Sequence, residues 1–379
     1  MVVPALGARA QGARLERMQR SPQWRNGHFD DVIPRAGSSV YAYLRRQIGW
    51  DAMSDWLVGG SKFRIPADTV PVETRSASDF DASPATGLRI TWLGHSSVLL
   101  EIDGARVLVD PVLSRFAGPT RALGQRRFFA APIETLDLPE VDVVVISHDH
   151  YDHLDYPTIR RLAETRTRFV APLGVGAHLE AWGIDPERIV ELDWWEEWRL
   201  GDHRFVATPA RHFSGRGVMD LEHTLWAGWA ILGPQHRVFY TGDTGMFPGL
   251  REIGERLGPF DVTFVETGGY SRHWADIHLG PEQAVQAHGM LRGNVLVPVH
   301  WGLFNLAMHG WTEPVERVLA AARTRRVTVA TPRLGQSFEP ALNLPCDRWW
   351  PDLPWQTAAD APILSTGFPR TIEYGELEP

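Results

Sequence analysis

The sequence of 379 residues contains a single cysteine, Cys346, and this scarcity limits the thiol chemistry available to it. One thiol cannot form an intrachain disulfide, and Cys346 lies far along the chain from the histidine-rich segment described below. Such scarcity is typical of a reducing compartment, so a cytoplasmic location is expected. Cys346 is not expected to bind a metal ion.

Long apolar runs and an excess of basic residues are also missing. No stretch approaches the roughly 20 apolar residues that are needed to span a bilayer, and residues 1–13 lack the basic start and apolar core of a signal peptide. The net charge of -8 provides no basic surplus to neutralise nucleic-acid phosphates. With 44% hydrophobic and 22% charged residues, the composition is that of an ordinary globular protein.

The most informative segment that is present covers residues 147–153 and has the sequence SHDHYDH. It follows the apolar run 141–146, whose pattern is that of a buried strand and which therefore delivers these polar residues to a defined sheet edge. His148 and His150 are two residues apart, so at the end of an extended strand they point to the same side and can bind one metal ion. A polar surface turn is the alternative, and the preceding strand pattern argues against it.

Further candidate ligands lie downstream. If the chain bends after His150, Asp152 and His153 can reach a second ion. Three more candidates each follow an apolar strand pattern: His212, Asp243 and His300. Each is weak alone, because a lone histidine is more often a core or surface group and Asp243 lies in a glycine-rich turn. Together the seven form a set of imidazoles and carboxylates without thiolate, which favours Zn²⁺ in a catalytic role, with Mn²⁺ or Fe²⁺ as alternatives.

The chain divides into a leader, a body and a tail. The leader, residues 1–85, contains a predicted helix over residues 40–57 and is expected to pack on the body. Predicted strands in the body cover residues 88–93, 97–102, 106–110, 168–172, 188–192, 204–209, 225–232, 237–241, 261–265 and 295–299, and predicted helices cover 157–164, 281–291 and 314–322. Two successive blocks of strands followed by helices predict two related halves, packed sheet to sheet with helices outside.

Short motifs carry a resemblance to a known family. They are TWLGHSS at residues 91–97, LVDP at 108–111, SHDHYDH at 147–153, PARHFS at 209–214, LW at 225–226, GDTG at 242–245, IHLGPE at 277–282 and HWG at 300–302. Over residues 86–340 the chain resembles the metallo-β-lactamase superfamily and, within it, the N-acylphosphatidylethanolamine-hydrolysing phospholipase D branch and its bacterial relatives. The resemblance implies an α+β fold, an αββα four-layer sandwich with a dinuclear site between two β-sheets. The leader would then be an N-terminal helical elaboration, and residues 341–379 a C-terminal extension.

The resemblance also implies roles for individual residues. One metal would be held by His148, His150 and His212, a second by Asp152, His153 and His300, with Asp243 bridging the two. The implied cofactors are two Zn²⁺ ions, or Mn²⁺ or Fe²⁺. The predicted catalytic residues are Asp243, which sets the metal spacing, and His278, a non-ligand that stabilises or protonates the leaving oxygen. The alternative is that His278 has no catalytic role and simply lies next to a helix cap. Asp110 and His95 are suited to orient the ligand side chains, although either could equally stabilise a turn instead.

Three functions compete on this basis. The leading prediction is a metal-dependent phosphodiesterase of phospholipase D type, cleaving N-acylphosphatidylethanolamine-like or related glycerophosphodiester substrates through a metal-bridging hydroxide. The alternative is a lactonase or other carboxyl-ester hydrolase, since the same hydroxide can attack carbon. A non-catalytic binding protein is disfavoured because no ligand position is missing, and a nuclease is disfavoured by the net charge.

The expected partner is a phospholipid or small phosphodiester substrate and not a nucleic acid. Peripheral membrane contact and a homodimer are both compatible with the sequence. Residues 116–131 combine arginines with the pair Phe128-Phe129, a mix suited to lipid phosphate, although a solvated loop with two anchoring rings is favoured. One departure from the animal phospholipases is the segment 266–270, ETGGY, where those enzymes are mainly apolar, so the substrate pocket need not be the same.

Overall fold

The computed structural model describes residues 3–33, 49–217 and 219–366. The first part of the helix predicted for residues 40–57 lies outside these ranges. Its described part contains a short helix, Trp50–Ser54, which continues as a π-helical turn, Asp55–Gly59.

Strands make up most of the regular structure between residues 88 and 338 of the described chain. In chain order they are β1 (Trp24–Arg25), β2 (His28–Phe29), β3 (Leu88–Gly94), β4 (Ser97–Ile102), β5 (Ala105–Val109), β6 (Phe116–Ala117), β7 (Gln125–Arg126), β8 (Val143–Val145), β9 (Arg168–Pro172), β10 (Ile189–Leu192), β11 (Glu197–Leu200), β12 (His203–Thr208), β13 (Gly228–Leu232), β14 (Arg237–Tyr240), β15 (Phe260–Glu266), β16 (Gly293–Val299), β17 (Thr328–Val329) and β18 (Ser337–Phe338). The α-helices of the described residues are α1 (Gly12–Gln19), α2 (Trp50–Ser54), α3 (Tyr156–Leu162), α4 (Gly176–Ala181), α5 (Gly249–Leu257), α6 (Pro281–Met290) and α7 (Glu313–Arg325).

Within the described ranges, most strands belong to two seven-stranded sheets. The first sheet has the order β10-β9-β8-β5-β4-β3-β18, and the second has the order β11-β12-β13-β14-β15-β16-β17. In the first, β3, β4 and β5 pair antiparallel, whereas β5, β8, β9 and β10 pair parallel. The second repeats this plan, antiparallel from β11 to β14 and parallel from β14 to β17. The two sheets correspond to the two predicted halves except at two strands: β12 was expected in the first half but lies in the second sheet, and β18 follows the second half but joins the first sheet.

Both faces of each sheet are apolar, which requires four layers. In β4, Val98 faces the core between the two sheets, whereas Leu99 belongs to the cluster that includes residues of α3 and α4. In β15, Val262 likewise faces the core between the sheets, whereas Val265 belongs to the cluster that includes residues of α5, α6 and α7. Alternate residues of one strand thus meet a sheet on one side and helices on the other. The predicted αββα sandwich is confirmed.

The helices are short, and three of them, α1, α4 and α5, were not predicted. Helix α4 has six residues, too few to show a helical period, and α5 contains two glycines, which lower its helix propensity. Helix α5 is stabilised instead by the burial of Leu250 and Ile253 against the second sheet. The strand predicted for residues 225–232 begins three residues later, at Gly228. No helix in the described part of the chain is long and apolar enough to cross a bilayer.

The leader (residues 1–85) and the tail (residues 341–379) both contact the body (residues 86–340). Val72 of the leader forms a parallel bridge with Leu334, and the guanidinium of Arg14 forms an ion pair with Glu191. In the tail, the indole nitrogen of Trp350 donates to a carboxylate oxygen of α7 at 2.8 Å. These contacts cross both proposed boundaries, and the division at residues 85 and 340 stays a prediction.

The central core is expected to determine the stability of the sandwich. Phe205 on β12 is fully buried between the sheets, and its removal leaves a cavity there. We predict that Phe205→Ala lowers the free energy of unfolding by about 3 to 5 kcal/mol, measured by urea denaturation at fixed metal content. Leu342, which is 65% exposed, provides the control, and Leu342→Ala should change stability by less than about 0.5 kcal/mol. Equal stability of the two variants would contradict this description of the core.

Candidate metal centre

Four strand ends bring the seven predicted ligands together. The loop after β8 carries His148, His150, Asp152 and His153, the loop after β12 carries His212, the turn after β14 carries Asp243, and the loop after β16 carries His300. Strand β8 belongs to the first sheet and the other three strands to the second, so the residues meet between the sheets. Their side chains form two groups in which the candidate ligand atoms lie within 4.8 Å of one another.

The first group consists of His148, His150, His212 and Asp243. The Nε2 atoms of His148 and His212 lie 2.8 and 3.3 Å from Nδ1 of His150. Oδ2 of Asp243 lies 3.7 Å from Nε2 of His148 and 3.7 Å from Nε2 of His212. Three imidazole nitrogens and one carboxylate oxygen therefore converge, a donor set that suits four-coordinate zinc.

The second group consists of Asp152, His153 and His300, together with His95. Asp243 reaches this group as well, because its Oδ1 lies 3.2 Å from Nε2 of His153 and its Oδ2 lies 3.2 Å from Nε2 of His300. His95 Nε2 lies 2.9 Å from Oδ2 of Asp152 and can hold that carboxylate in place. Asp243 thus contacts both groups, which is the position expected of a bridging ligand.

Unpaired polar atoms mark the middle of the centre. Among the described residues, His153 Nε2, His300 Nε2 and Asp243 Oδ1 are buried without a hydrogen-bond partner. An unsatisfied buried polar group costs about 1 to 3 kcal/mol, so three of them at one point indicate a site built for a ligand. Two imidazole nitrogens and a carboxylate oxygen that face one another suit a divalent cation. The residues therefore fit a metal centre.

Asp110 contacts a candidate ligand, His153, on the side of its ring that faces away from the centre. Its Oδ2 accepts hydrogen bonds from Nδ1 of His153 at 2.7 Å and from the hydroxyl of Tyr240 at 2.6 Å. Its Oδ1 accepts from the backbone nitrogen of Ser147 at 2.7 Å. A carboxylate on the far nitrogen of a ligand imidazole fixes the tautomer and the orientation of the ring. Asp110 is placed where an orienting residue must be, and that role stays a prediction.

Two other imidazoles are oriented by backbone carbonyls. Nδ1 of His212 donates to the carbonyl oxygen of Ile277 at 2.8 Å, and Nδ1 of His300 donates to that of Gly268 at 3.1 Å. Because a carbonyl oxygen can only accept, the hydrogen must be on Nδ1 in both rings. In the neutral form of each ring, the lone pair on Nε2 then faces the centre, as metal binding requires.

The backbone at the centre is strained. Three residues that are not glycine have left-handed φ angles: His95 at 53°, Asp110 at 37° and His300 at 63°. Such conformations cost of order 1 to 3 kcal/mol each and persist only where the surrounding structure enforces them. Gly242, directly before Asp243, has φ of 58°, and a Cβ atom there would lie 2.9 Å from Cβ of Ser147. Glycine is therefore required for the turn that presents Asp243.

Protons and cations compete for the same atoms. Burial lowers the pKa of His148 and of His212 well below the usual value, so both rings are neutral, as ligands must be. Burial acts in the same direction on His300, but the carboxylate of Asp243 beside it raises the pKa of His300 to about 10. A cation bound there would replace that proton, so metal binding and proton release are coupled.

His278 lies beside the two groups and is paired with Glu266. Nδ1 of His278 donates to Oε2 of Glu266 at 2.7 Å, and Oε1 of Glu266 accepts from the backbone nitrogens of Thr244 and Leu279 at 2.6 and 3.1 Å. Burial raises the pKa of Glu266, while His278 works against that rise. The ring centroids of His278 and His212 are 5.1 Å apart. With Nδ1 engaged by the carboxylate, Nε2 is the atom of His278 that can meet a substrate.

Glu266 is a residue beside the centre that sequence reasoning missed. It is the last residue of β15 and follows the buried segment 262–265, which is apolar except for Thr263. A buried strand also precedes Asp243 and His300. In the sequence, the segment 266–270 stands out only as a departure from the animal phospholipases. An acidic residue at the carboxyl end of a buried strand could have indicated its role.

A cleft of about 260 Å³ opens onto the centre. Its polar lining includes ligand residues and His278, and its apolar lining consists of Phe213, Trp274, Ile277 and Leu306. Sites for whole small molecules are usually somewhat larger, about 300 to 1,000 Å³. The cleft therefore suits the reacting part of a substrate rather than an entire lipid.

The arginine-rich loop, residues 116–131, is anchored to the body. Arg127 is buried and donates to the carbonyl oxygens of Phe129 and Val112 at 2.9 and 3.2 Å, so it stabilises the loop and cannot bind a lipid phosphate. The backbone nitrogen of Phe128 donates to the carbonyl of Leu303 at 2.8 Å. Arg127 and Phe128 thus anchor the loop, whereas its other arginines, Arg121 and Arg126, are exposed, and contact of the loop with lipid phosphate stays a prediction.

The two groups and their shared carboxylate predict a metal stoichiometry. The purified protein should contain close to two metal ions per chain, and Asp243→Ala should release at least one because both groups lose an oxygen ligand. Elemental analysis of dialysed protein measures this content. Asp347→Ala, at a side chain that is 86% exposed, is the control and should retain the wild-type content. A single ion in active wild-type protein would refute the dinuclear assignment.

Several curated proteins are similar to this chain. An uncharacterized protein of Mycobacterium tuberculosis (strain ATCC 25618 / H37Rv) is 45% identical, covering 91% of this chain and 91% of its own length. The N-acyl-phosphatidylethanolamine-hydrolyzing phospholipase D 1 of Caenorhabditis elegans is 35% identical over 64% of this chain and 70% of its own. A mitochondrial enzyme of the same description from Saccharomyces cerevisiae is 29% identical over 60% of this chain and 50% of its own.

Solved structures share the fold. Igni18, a metallo hydrolase from Ignicoccus hospitalis, covers 66% of this chain and 98% of its own with 24% sequence identity and a TM-score of 0.51. CmlA, a diiron beta-hydroxylase from Streptomyces venezuelae, covers 66% of this chain and 54% of its own with 19% identity and a TM-score of 0.51. At this level of identity the likeness concerns the fold alone.

The family model of the beta-lactamase superfamily domain matches residues 105–301, more than half of the chain. The match runs from β5 to the residue after His300, so it contains all seven predicted ligands. With the sandwich, the two groups of metal-binding side chains and the relatives above, these findings identify the family. The chain belongs to the metallo-β-lactamase superfamily, as one of its metal-dependent hydrolases.

Proposed function

We propose that the protein is a phosphodiesterase of phospholipase D type, acting on N-acylphosphatidylethanolamine-like or related glycerophosphodiester substrates. The observation that carries the proposal is the pair of His278 and Glu266 beside the ligand groups, with Nδ1 and Oε2 2.7 Å apart. The relatives from Caenorhabditis elegans and Saccharomyces cerevisiae, both named for hydrolysis of N-acyl-phosphatidylethanolamine, support the substrate class.

The proposal includes the assignment of the ligands. One cation would be held by His148, His150 and His212, the other by Asp152, His153 and His300, and Asp243 would contribute to both. Zn²⁺ suits this set of nitrogen and oxygen donors, and Fe²⁺ or Mn²⁺ are alternatives, since CmlA on the same fold is a diiron protein. The cations would supply an acidified water and positive charge against the phosphoryl oxygens.

The residues of the chain itself act on the leaving oxygen. When the phosphodiester bond breaks, the oxygen of the departing alcohol must gain a proton. Glu266 accepts a hydrogen bond from Nδ1 of His278 and so fixes the orientation of the ring, and the proposed acid is the form of His278 that also carries a proton on Nε2. Nε2 then gives its proton to the leaving oxygen, and the bond from Nδ1 to Glu266 is kept throughout.

The size of the cleft determines how a lipid substrate would bind. The phosphodiester would enter between the ligand groups and His278, and the apolar walls at Phe213 and Leu306 would exclude water around it. A cleft of about 260 Å³ leaves the acyl chains outside. Peripheral contact with a membrane, which would hold those chains, is therefore part of the proposal.

Replacement of His278 tests its role as an acid. His278→Ala should lower kcat by roughly 10² to 10⁴, the usual contribution of a positioned acid or base, with the metal content unchanged. Turnover of a phosphodiester and elemental analysis are measured on the same preparation. His236 is the matched control: its Nδ1 pairs with Oδ1 of Asp103 at 2.7 Å, and neither residue lines the cleft. Loss of metal from His278→Ala, or turnover equal to that of His236→Ala, would refute the role.

Isotope labelling tests whether the reaction occurs at phosphorus or at carbon. Hydrolysis of N-acylphosphatidylethanolamine in ¹⁸O-labelled water should place the label in the phosphate-bearing product, as measured by mass spectrometry. Metal-depleted protein provides the control and should incorporate none. Label found only in a released carboxylate, without phosphodiester turnover, would decide for a lactonase or other carboxyl-ester hydrolase.

A further inference from the structure

A series of hydrogen bonds links residues 147–153, called the metal motif below, to the N-terminal part of the protein. Asp149 lies in sequence between His148 and His150, and it is buried. Nε2 of His178, on α4, lies 3.3 Å from Oδ2 of Asp149, and the backbone nitrogen of Ala8 donates to Nδ1 of the same ring at 3.0 Å. Because a backbone N–H can only donate, Nδ1 is the acceptor, and Nε2 carries the hydrogen that is given to Asp149.

The remaining contacts of Asp149 show that it acts on the loop and not on a metal. Its Oδ1 accepts from the backbone nitrogen of Gly215 at 2.7 Å, and its Oδ2 accepts from the hydroxyl of Thr224 at 3.0 Å. None of the three groups of side chains that could hold a metal ion among the described residues includes Asp149. The carboxylate therefore fixes the backbone from which the two neighbouring histidines project.

Arg216 holds the same loop at two carbonyl groups. Its buried guanidinium donates to the carbonyl oxygens of Asp149 and Leu154 at 2.5 and 3.0 Å, and its Nε donates to the carbonyl of Ala5 at 2.7 Å. The guanidinium carbon also lies 4.1 Å from the centroid of the Tyr151 ring, within the motif. The N-terminal segment thus reaches the motif by a second route.

The backbone of residues 4–8 is shaped for these contacts. The carbonyl of Pro4 accepts from the indole nitrogen of Trp182 at 2.8 Å. Gly7 has φ of 73°, and a Cβ atom there would lie 2.0 Å from Nδ1 of His178. Only glycine lets the chain turn close enough for Ala8 to donate to that ring.

We propose that residues 4–8 brace the metal motif. Acting through the positioning residues His178 and Arg216, they hold the loop in the conformation in which His148 and His150 point at one ion. Contacts behind the ligands that fix their orientation commonly affect metal affinity by 10- to 100-fold. The proposal rests on the ligand assignment made above and not on the substrate, so its test measures metal binding instead of turnover.

The first test compares two glycines of the leader. Gly7→Ala places a methyl group against His178, whereas at Gly12, with φ of 54°, a Cβ atom would meet no atom of the described residues within 4 Å, so Gly12→Ala adds backbone strain alone. Chelator titration of the metal-loaded proteins should show one ion bound about 10- to 100-fold more weakly in Gly7→Ala than in Gly12→Ala. Equal affinity for both ions in the two variants overturns the brace.

The second test separates positioning from simple structural support. His178→Ala should weaken the same ion, and His178→Gln should restore most of the affinity, because an amide can donate to Asp149 and accept from Ala8. His288→Ala, at a buried histidine of α6 that pairs with Thr263, controls for the cavity. Urea denaturation of the metal-free variants is measured in parallel. If His178→Ala loses stability as His288→Ala does but keeps wild-type metal affinity, the brace is wrong.

Discussion

The buried carboxylate of Asp243 is the contact on which the site depends. Its two oxygens lie 3.2 Å from imidazole nitrogens of His153 and His300, and Oδ2 lies 3.7 Å from those of His148 and His212. A buried charge must be compensated, and four surrounding imidazoles can do so only with protons or with cations. The strained backbone and the outer hydrogen bonds serve to keep this cluster in place.

Much of the fold and the convergence of the seven candidate ligands could be predicted, because each candidate follows a buried strand whose apolar pattern is local in the sequence. Glu266 has the same signal and was missed because the family motifs do not include it. Contacts such as that of Ala8 with His178 join residues 170 positions apart. They depend on how the leader packs on the body, and no local pattern contains that information. Short helices such as α4 form because tertiary packing stabilises them.

The fold does not by itself determine the reaction. Igni18 is a hydrolase and CmlA a beta-hydroxylase, yet both have the sandwich described here. A pair of histidine groups joined by a carboxylate is compatible with several reactions, so specificity must come from groups around it. In this chain the pair of His278 and Glu266 and the apolar wall of the cleft lie around the two ligand groups.

The ligands come from both sheets, β8 in the first and β12, β14 and β16 in the second. An ion bound between them would therefore link the two halves of the sandwich. Unfolding separates the halves and destroys the site, so the ions would bind the folded chain far better than the unfolded one. By mass action, the resistance of the protein to unfolding would then rise with the concentration of free metal. A shortage of metal would therefore lower the stability of the protein as well as its activity.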